Sequence, residues 1–256
     1  MSGFEIVCEI EPATTPDLKR VRHQIGVLSR AADAFLVPDN HIGRATVSSV
    51  AVAHEVGTMG ERAIACLNAR DRNVLGLRRD LLTAAAYGVG EFLFVYGDRP
   101  SVGSRVEQLT VRTMIEQART FDVGRSSRIG VTSRLAPLPA WKRDADFCFV
   151  QLGFDVDALV RWRESVDFAG EVYAGVIVLA SAGMARKLVS DIPEISVGPE
   201  VLDRIEGDPA AGVALTCETI HAIRETGAFE GVHLVPVSKY REVAAALESS
   251  AGRADS

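Results

Sequence analysis

The feature that most restricts what this chain can fold into is a repeated alternation. Short β-rich runs, predicted at 4–11, 34–38, 62–68, 91–97, 127–132, 147–152, 172–180 and 231–237, are followed by longer segments of helical period. The segments at 16–31, 46–57, 74–87, 106–120, 156–166 and 239–248 return apolar residues to one face every three or four positions, the mark of an amphipathic helix. Strand–helix alternation implies a parallel sheet, because parallel neighbours need a crossover between them. Two connections deviate. The fifth, Arg134 to Ala145, holds Pro137 and Pro139 and has little room for a helix, whereas the seventh is long and carries helical patterns near both 182–190 and 209–226. An open doubly wound sheet would carry a Gly-x-Gly-x-x-Gly turn after its first strand; none is present, and there is no Walker loop. Eight strands in 256 residues instead match a closed barrel, which needs roughly 250. The fold expected is α/β, a single (β/α)8 TIM barrel over 1–248, with the small polar residues of 249–256 forming a flexible C-terminal tail.

Composition removes several function classes. With 47% hydrophobic and 24% charged residues the chain can bury a core, so bulk disorder is excluded. There is no run of eighteen apolar residues and no basic, then apolar, leader; the expectation is a cytoplasmic protein without a membrane span. A net charge of −6 gives no footprint for nucleic acid. Cys8, Cys66, Cys148 and Cys217 are widely spaced in apolar surroundings and read as buried, reduced thiols.

Phasing the strands identifies candidate site residues. In the first strand Phe4, Ile6, Cys8 and Ile10 form an apolar face for the helices, which turns Glu5, Val7, Glu9 and Glu11 toward the axis. Barrel interiors are normally apolar, so inward carboxylates must be solvated, paired or used. Glu5 lies at the bottom and reads as an ion-pair partner; Glu9 and Glu11 lie at the carboxyl end, where barrel enzymes do chemistry. Burial and a like-charged neighbour both favour a protonated carboxyl, the property of a general acid. Glu11 has the alternative of capping a loop. Asp98, after Gly97 at the end of the fourth strand, is either a site acid or a loop cap. Gln151 stands among apolar neighbours in the sixth strand, and its amide either bonds to backbone or reads a ligand, while Asp155 reads as the cap of the next helix. No His-Glu-x-x-His or other metal spacing occurs among His23, His41, His54, His221 and His233, although His41 follows Pro38-Asp39-Asn40 at the mouth. Lys239, just past the eighth strand, would suit a Schiff-base aldolase, and no Gly-x-Ser-x-Gly elbow supports a hydrolase.

Five segments in order resemble the methylenetetrahydrofolate reductases: Cys8-Glu9-Ile10-Glu11-Pro12, Arg70-Asp71-Arg72-Asn73, the helix from Leu77 to Gly88, Gly97-Asp98-Arg99-Pro100, and Asp146-Phe147-Cys148-Phe149-Val150-Gln151. The resemblance implies that Glu9 is the catalytic acid, Asp98 an acid near the reacting centre that also contacts the substrate, and Gln151 a pterin-binding amide. It implies reduction of 5,10-methylenetetrahydrofolate to 5-methyltetrahydrofolate. Typical members bind FAD through a third-strand histidine, where Ala63 aligns, and through a full helix between strands five and six, where only Ser133 to Asp144 is available. Their folate-stacking aromatic after strand seven has no counterpart in Ser181-Ala182-Gly183. This resembles the short, flavin-independent actinobacterial type, with NADH as direct hydride donor, no bound FAD and no metal. The alternatives are an FAD- or deazaflavin-dependent reductase of a similar pterin and a non-catalytic pterin-binding barrel. Loop salt bridges are the first reading of Arg70, Asp71, Arg72 and Asn73, cofactor contact the second. The partners expected are the folate and NADH, with homo-oligomerisation left open.

Overall fold

The structure is a computed structural model that describes residues 3–191, 195, 197–208 and 210–254. Eight parallel strands close into a barrel in chain order: β1 (Glu5–Glu9), β2 (Ala34–Val37), β3 (Ala63–Asn68), β4 (Glu91–Val95), β5 (Arg128–Ser133), β6 (Phe147–Leu152), β7 (Glu171–Ile177) and β8 (Gly231–Val235). The helices around it are α1 (Lys19–Leu28), α2 (Ser49–Thr58), α3 (Val74–Ala86), α4 (Val111–Thr120), α5 (Val156–Ser165), α6 (Ala182–Asp191), α7 (Pro199–Gly207), α8 (Ala211–Thr226) and α9 (Tyr240–Ala254). This is the single (β/α)8 barrel expected. Among the described residues no helix is long and apolar enough to cross a membrane.

Strand alternation divides the apolar residues into two layers. Ile6, Cys8, Ile10, Phe35, Phe92 and Phe94 point outward and pack under the helices. Val7, Ala34, Leu36, Ile64, Cys66, Leu93, Phe147, Phe149 and Tyr173 fill the barrel itself. Large apolar side chains buried in this way stabilise by about 1.5–3 kcal/mol each. Of the cysteines, Cys8, Cys66 and Cys148 are buried and Cys217 half-buried, and all four are free thiols; burial pushes Cys148 up to about 12.

The barrel floor is closed by charge. Arg62 donates to both carboxylate oxygens of Glu5 at 2.9 and 2.7 Å and lies 3.5 Å from Glu91. Arg128 joins Glu91 to Glu171, and the Tyr173 hydroxyl donates to Glu5 at 2.8 Å and to Glu171 at 3.0 Å. The Arg62 hydrogen bonds hold the Glu5 carboxyl below the usual carboxylate range despite its partial burial. Burial outweighs the two arginines at Glu91, whose carboxyl is raised. Glu5 therefore has the structural role that its position suggests.

Three boundaries differ from the sequence reading. The helix placed at 106–120 begins only at α4, where Thr110 and Thr113 form a reciprocal capping box. The preceding loop is tied back to the neighbouring one by Val106 N–H donating to the Arg70 carbonyl at 2.7 Å. Helix α7 adds a helical segment between the patterns read at 182–190 and 209–226; Pro199 occupies its first turn, the one place where a missing N–H costs nothing. Finally, α9 continues to Ala254, so the tail expected from 249 begins as helix; the alanine-rich run before it propagates the helix at little entropic cost. Residues 255 and 256 lie outside the described residues. The fifth connection is, as expected, too short for an α-helix: a single 3-10 turn, Ala140–Asp144.

Candidate active site

At the carboxyl ends of the strands a cavity of about 1410 Å³ opens to solvent. It collects side chains from every part of the barrel: Glu9 from β1, Asp39 after β2, Asp98 after β4, Gln151 from β6 and His233 from β8. Glu9 ends β1, four residues and about 13 Å above Glu5 at 3.3 Å per residue. Its side chain is 19% exposed, turned inward over the apolar filling and away from the helix layer. Glu11 does not serve as the like-charged neighbour expected, because it is ion-paired with Arg20.

Asp98 follows Gly97, whose φ of +91° suits glycine, and a Cβ there would lie 2.8 Å from Cβ of Asn68. Asp98 meets two parts of the mouth. It lines the cavity, and its Oδ2 accepts the Ile42 N–H at 2.9 Å. The segment capped is not the one that follows it but the loop after β2, where Ile42 sits at φ +50°, unusual for a β-branched residue. That bond fixes the β2 loop to the β4 loop across the mouth.

Gln151 sits at a β-bulge. Phe149 pairs with Tyr173 but Leu152 with Gly175, so β6 spends three residues where β7 spends two. The extra residue falls at 150–151, where Val150 packs in the outer layer and Gln151 lines the cavity; bulges recur beside active sites. Gly175 makes the bulge possible: a Cβ there would meet the Val150 carbonyl oxygen at 2.5 Å. The Gln151 side chain lines the cavity, and no hydrogen bond engages its amide among the described residues.

The run after β3 is architectural. Asn68 donates through its backbone N–H and side-chain amide to Asp39 Oδ2 at 3.0 and 2.7 Å, and Arg72 donates to the same oxygen at 2.7 Å and to Asp80 at 3.2 Å. Asp71 accepts from Asn68 and from Asn40, and Asn73 caps α3 by accepting the Gly76 N–H at 2.8 Å. Arg70 lies over the Tyr96 ring at 4.5 Å. Asp155 caps α5 as expected, accepting from Ala158 N–H at 2.9 Å. His41 lines the mouth on a 3-10 turn. Lys239 pairs with Glu242 at 3.1 Å and is not among the cavity side chains, which removes the support for a Schiff-base lysine. Ala63 opens β3 at the barrel floor and packs outward, so it is not the position from which a residue could touch a ligand in the mouth. The mouth end of β3 presents Cys66 and Asn68, and the strand holds no histidine at any position. Among the described residues no group of three or more metal-ligating side chains is assembled.

The solved structures that share the fold include three that match nearly the whole chain. An uncharacterized protein from Clostridium thermocellum that binds two copies of 5-methyl-5,6,7,8-tetrahydrofolic acid matches 98% of this chain and 95% of its own, with a TM-score of 0.65 at 10% identity. An EDTA monooxygenase from Chelativorans matches 97% and 94% (TM-score 0.56, 9% identity), and a long-chain alkane monooxygenase 98% and 92% (TM-score 0.55, 9% identity). What these likenesses establish is the barrel. No family model matches the chain, and no curated protein matches it in sequence.

Two cavity groups escape the sequence reading. His233 points inward because Val232 and Leu234 point outward; the same alternation that finds Glu9 would have found it. Its Nε2 lies 3.3 Å from Glu9 Oε2, and its ring stacks on Phe149 at 4.9 Å with 13° between planes. Asp39 directly follows Pro38 at the end of β2 and is only 6% exposed, with one oxygen absorbed by Asn68 and Arg72. On the far side Lys142 and Arg134 line the cavity; burial lowers the Lys142 ammonium, which donates to the Thr132 carbonyl at 2.6 Å.

Proposed function

We propose that this barrel reduces 5,10-methylenetetrahydrofolate to 5-methyltetrahydrofolate with NADH as direct hydride donor and no flavin. The observation that carries the reading is the convergence of Glu9, Asp98 and Gln151, three residues singled out separately in the sequence, on one mouth cavity. Similarity of fold to a protein that binds 5-methyltetrahydrofolic acid supports a reduced folate as ligand. The cavity, about 1410 Å³, exceeds the roughly 300–1,000 Å³ of a site for one drug-sized ligand, as a site for two reactants side by side requires. Arg134 and Lys142 at its edge suit the carboxylates of a folate tail or the phosphates of a dinucleotide.

In this reading Glu9 gives a proton to nitrogen 10 as the five-membered ring opens. The iminium cation left on nitrogen 5 accepts hydride at the methylene carbon. Asp98, its carboxylate oriented by the Ile42 N–H, stabilises that cation, and the Gln151 amide pairs with the donor and acceptor edge of the pterin. The single turn between β5 and β6, in place of a full helix, supports direct transfer over a bound flavin.

The test is to mix flavin-free protein with NADH and 5,10-methylenetetrahydrofolate and to follow NADH absorbance together with the folate product. One methyl product per NADH consumed is expected. Turnover only after adding FAD or a deazaflavin would overturn the direct route, and folate binding without any turnover would make this a binding barrel.

A further inference from the structure

Glu9 faces a difficulty that its own surroundings do not solve. A general acid gives up its proton once per turnover and has to be supplied with the next one. Its like-charged neighbour, Glu11, is ion-paired with Arg20. A second group must hold the proton nearby, and the structure offers one.

We propose that His233 and Glu9 share one exchangeable proton, the imidazole storing what the carboxyl delivers to the ligand. This rests on the reading of Glu9 as proton donor. Three observations support it. Nε2 of His233 lies 3.3 Å from Oε2 of Glu9, within ionic contact. The same nitrogen is shut off from solvent and makes no hydrogen bond among the described residues, a state a buried polar atom avoids unless it has a use. The Phe149 face at 4.9 Å fixes the ring plane, so that Nε2 is held toward the carboxyl.

The neighbouring elements leave Glu9 as the group His233 answers to. On β7 the residue paired with His233 is Gly175, without a side chain, and on β1 it is the apolar Val7. Tyr173, lower on β7, gives its hydroxyl to Glu5 and Glu171. Cys66 on β3 stays a thiol, since burial raises it well above its ordinary value. Asp39 is engaged by Asn68 and Arg72, and Lys239 by Glu242. The 3.3 Å pair lacks the alignment of a completed hydrogen bond, as is common where a catalytic bond tightens only with ligand present.

The proton balance is simple. The cycle starts with the shared proton on Nε2. On ligand arrival the Nε2–H bond breaks as an Oε2–H bond forms; that bond then breaks as nitrogen 10 gains its hydrogen and loses the methylene carbon. Neutral imidazole and carboxylate remain, one proton short; once product leaves, the cavity-lining carboxylate takes a proton from water and passes it to Nε2. The hydride electrons come from NADH. His233 is thus a positioning and proton-storing residue, acting through Glu9.

The test begins without any ligand. Nitrogen-15 NMR of histidine-labelled protein follows His233 through pH 5–9 in the parent and in Glu9→Gln. The midpoint is expected to fall by about one unit or more in the variant, the usual effect of removing an adjacent carboxylate. An unchanged midpoint, or a His233 that stays neutral throughout, overturns the proposal. In turnover, His233→Gln should lower kcat near neutral pH by about 10-fold or more, part of the 10²–10⁴ worth of a general acid, with KM for the folate little changed. Its alkaline limb should move to lower pH; a variant profile superimposable on the parent's also overturns the proposal. If the NMR coupling is found but no folate is reduced, the pair stands and the assigned reaction falls.

Discussion

Replacing Gly175 by alanine tests whether the β6 bulge exists to aim Gln151. A Cβ at 175 would lie 2.5 Å from the Val150 carbonyl oxygen, 2.9 Å from the Leu152 nitrogen and 3.1 Å from the Gln151 carbonyl carbon. All three are backbone atoms, so no flexible side chain can yield. The closest contact is about 0.9 Å short of an ordinary 3.4 Å separation, and the bulge itself must move by a comparable amount. Overpacking of this kind costs about 1–3 kcal/mol of stability. Displacement of a substrate-positioning group by about 1 Å can cost on the order of 10²-fold in rate. Gly231→Ala is the matched control. Its Cβ would meet the Glu5 carbonyl oxygen at 2.2 Å, on the barrel floor far from the cavity. Chemical denaturation and steady-state kinetics on both variants should show similar losses of stability. Only Gly175→Ala should lose kcat/KM for the folate, by about 10²-fold. Equal kinetic losses in the two variants, or full activity in Gly175→Ala, would refute the link between bulge and site.

Three further outcomes are expected. Glu9→Gln should lower kcat by roughly 10²–10⁴-fold while folate affinity, read by equilibrium titration, changes little; near-parent turnover would remove Glu9 from the mechanism. Asp98→Asn keeps an oxygen for the Ile42 N–H but removes the charge, so kcat should fall with the stability to heat unchanged. If activity survives in that variant, Asp98 only ties the two loops together. At the floor, the Glu5 carboxyl is held low by Arg62, so its stabilising contribution is complete above the usual carboxylate range and is lost as pH falls through and below it. Glu5→Gln should therefore flatten the acid side of the stability–pH curve relative to the parent; an unchanged slope in urea titrations between pH 5 and 3 would contradict the pairing.

The barrel was legible because it depends on periodicity, and each strand run in the sequence overlaps an observed strand. Alternation within β1 was enough to turn Glu9 inward and to send Ile6, Cys8 and Ile10 under the helices. What escaped depends on contacts between segments distant in sequence. The bulge at 150–151 is invisible in β6 alone, since it is permitted by a glycine on β7. The role of Asp98 toward Ile42 spans fifty-six residues. Ala63, where the resemblance aligns a cofactor histidine, lies at the floor end of β3, a depth that sequence resemblance alone does not fix. His233 was missed for a simpler reason. A lone histidine without metal spacing carries no signal until its strand is phased.

The most direct measurement of the central claim follows the hydride itself. NADH carrying deuterium at one face of C4 is reacted with 5,10-methylenetetrahydrofolate in flavin-free light water, and the methyl group of the product is examined by mass spectrometry and NMR. The account predicts one deuterium in each methyl group from one of the two labelled faces, and none from the other. Deuterium lost to solvent, with an unlabelled methyl group from both, would contradict direct transfer and require an exchangeable carrier between the two substrates.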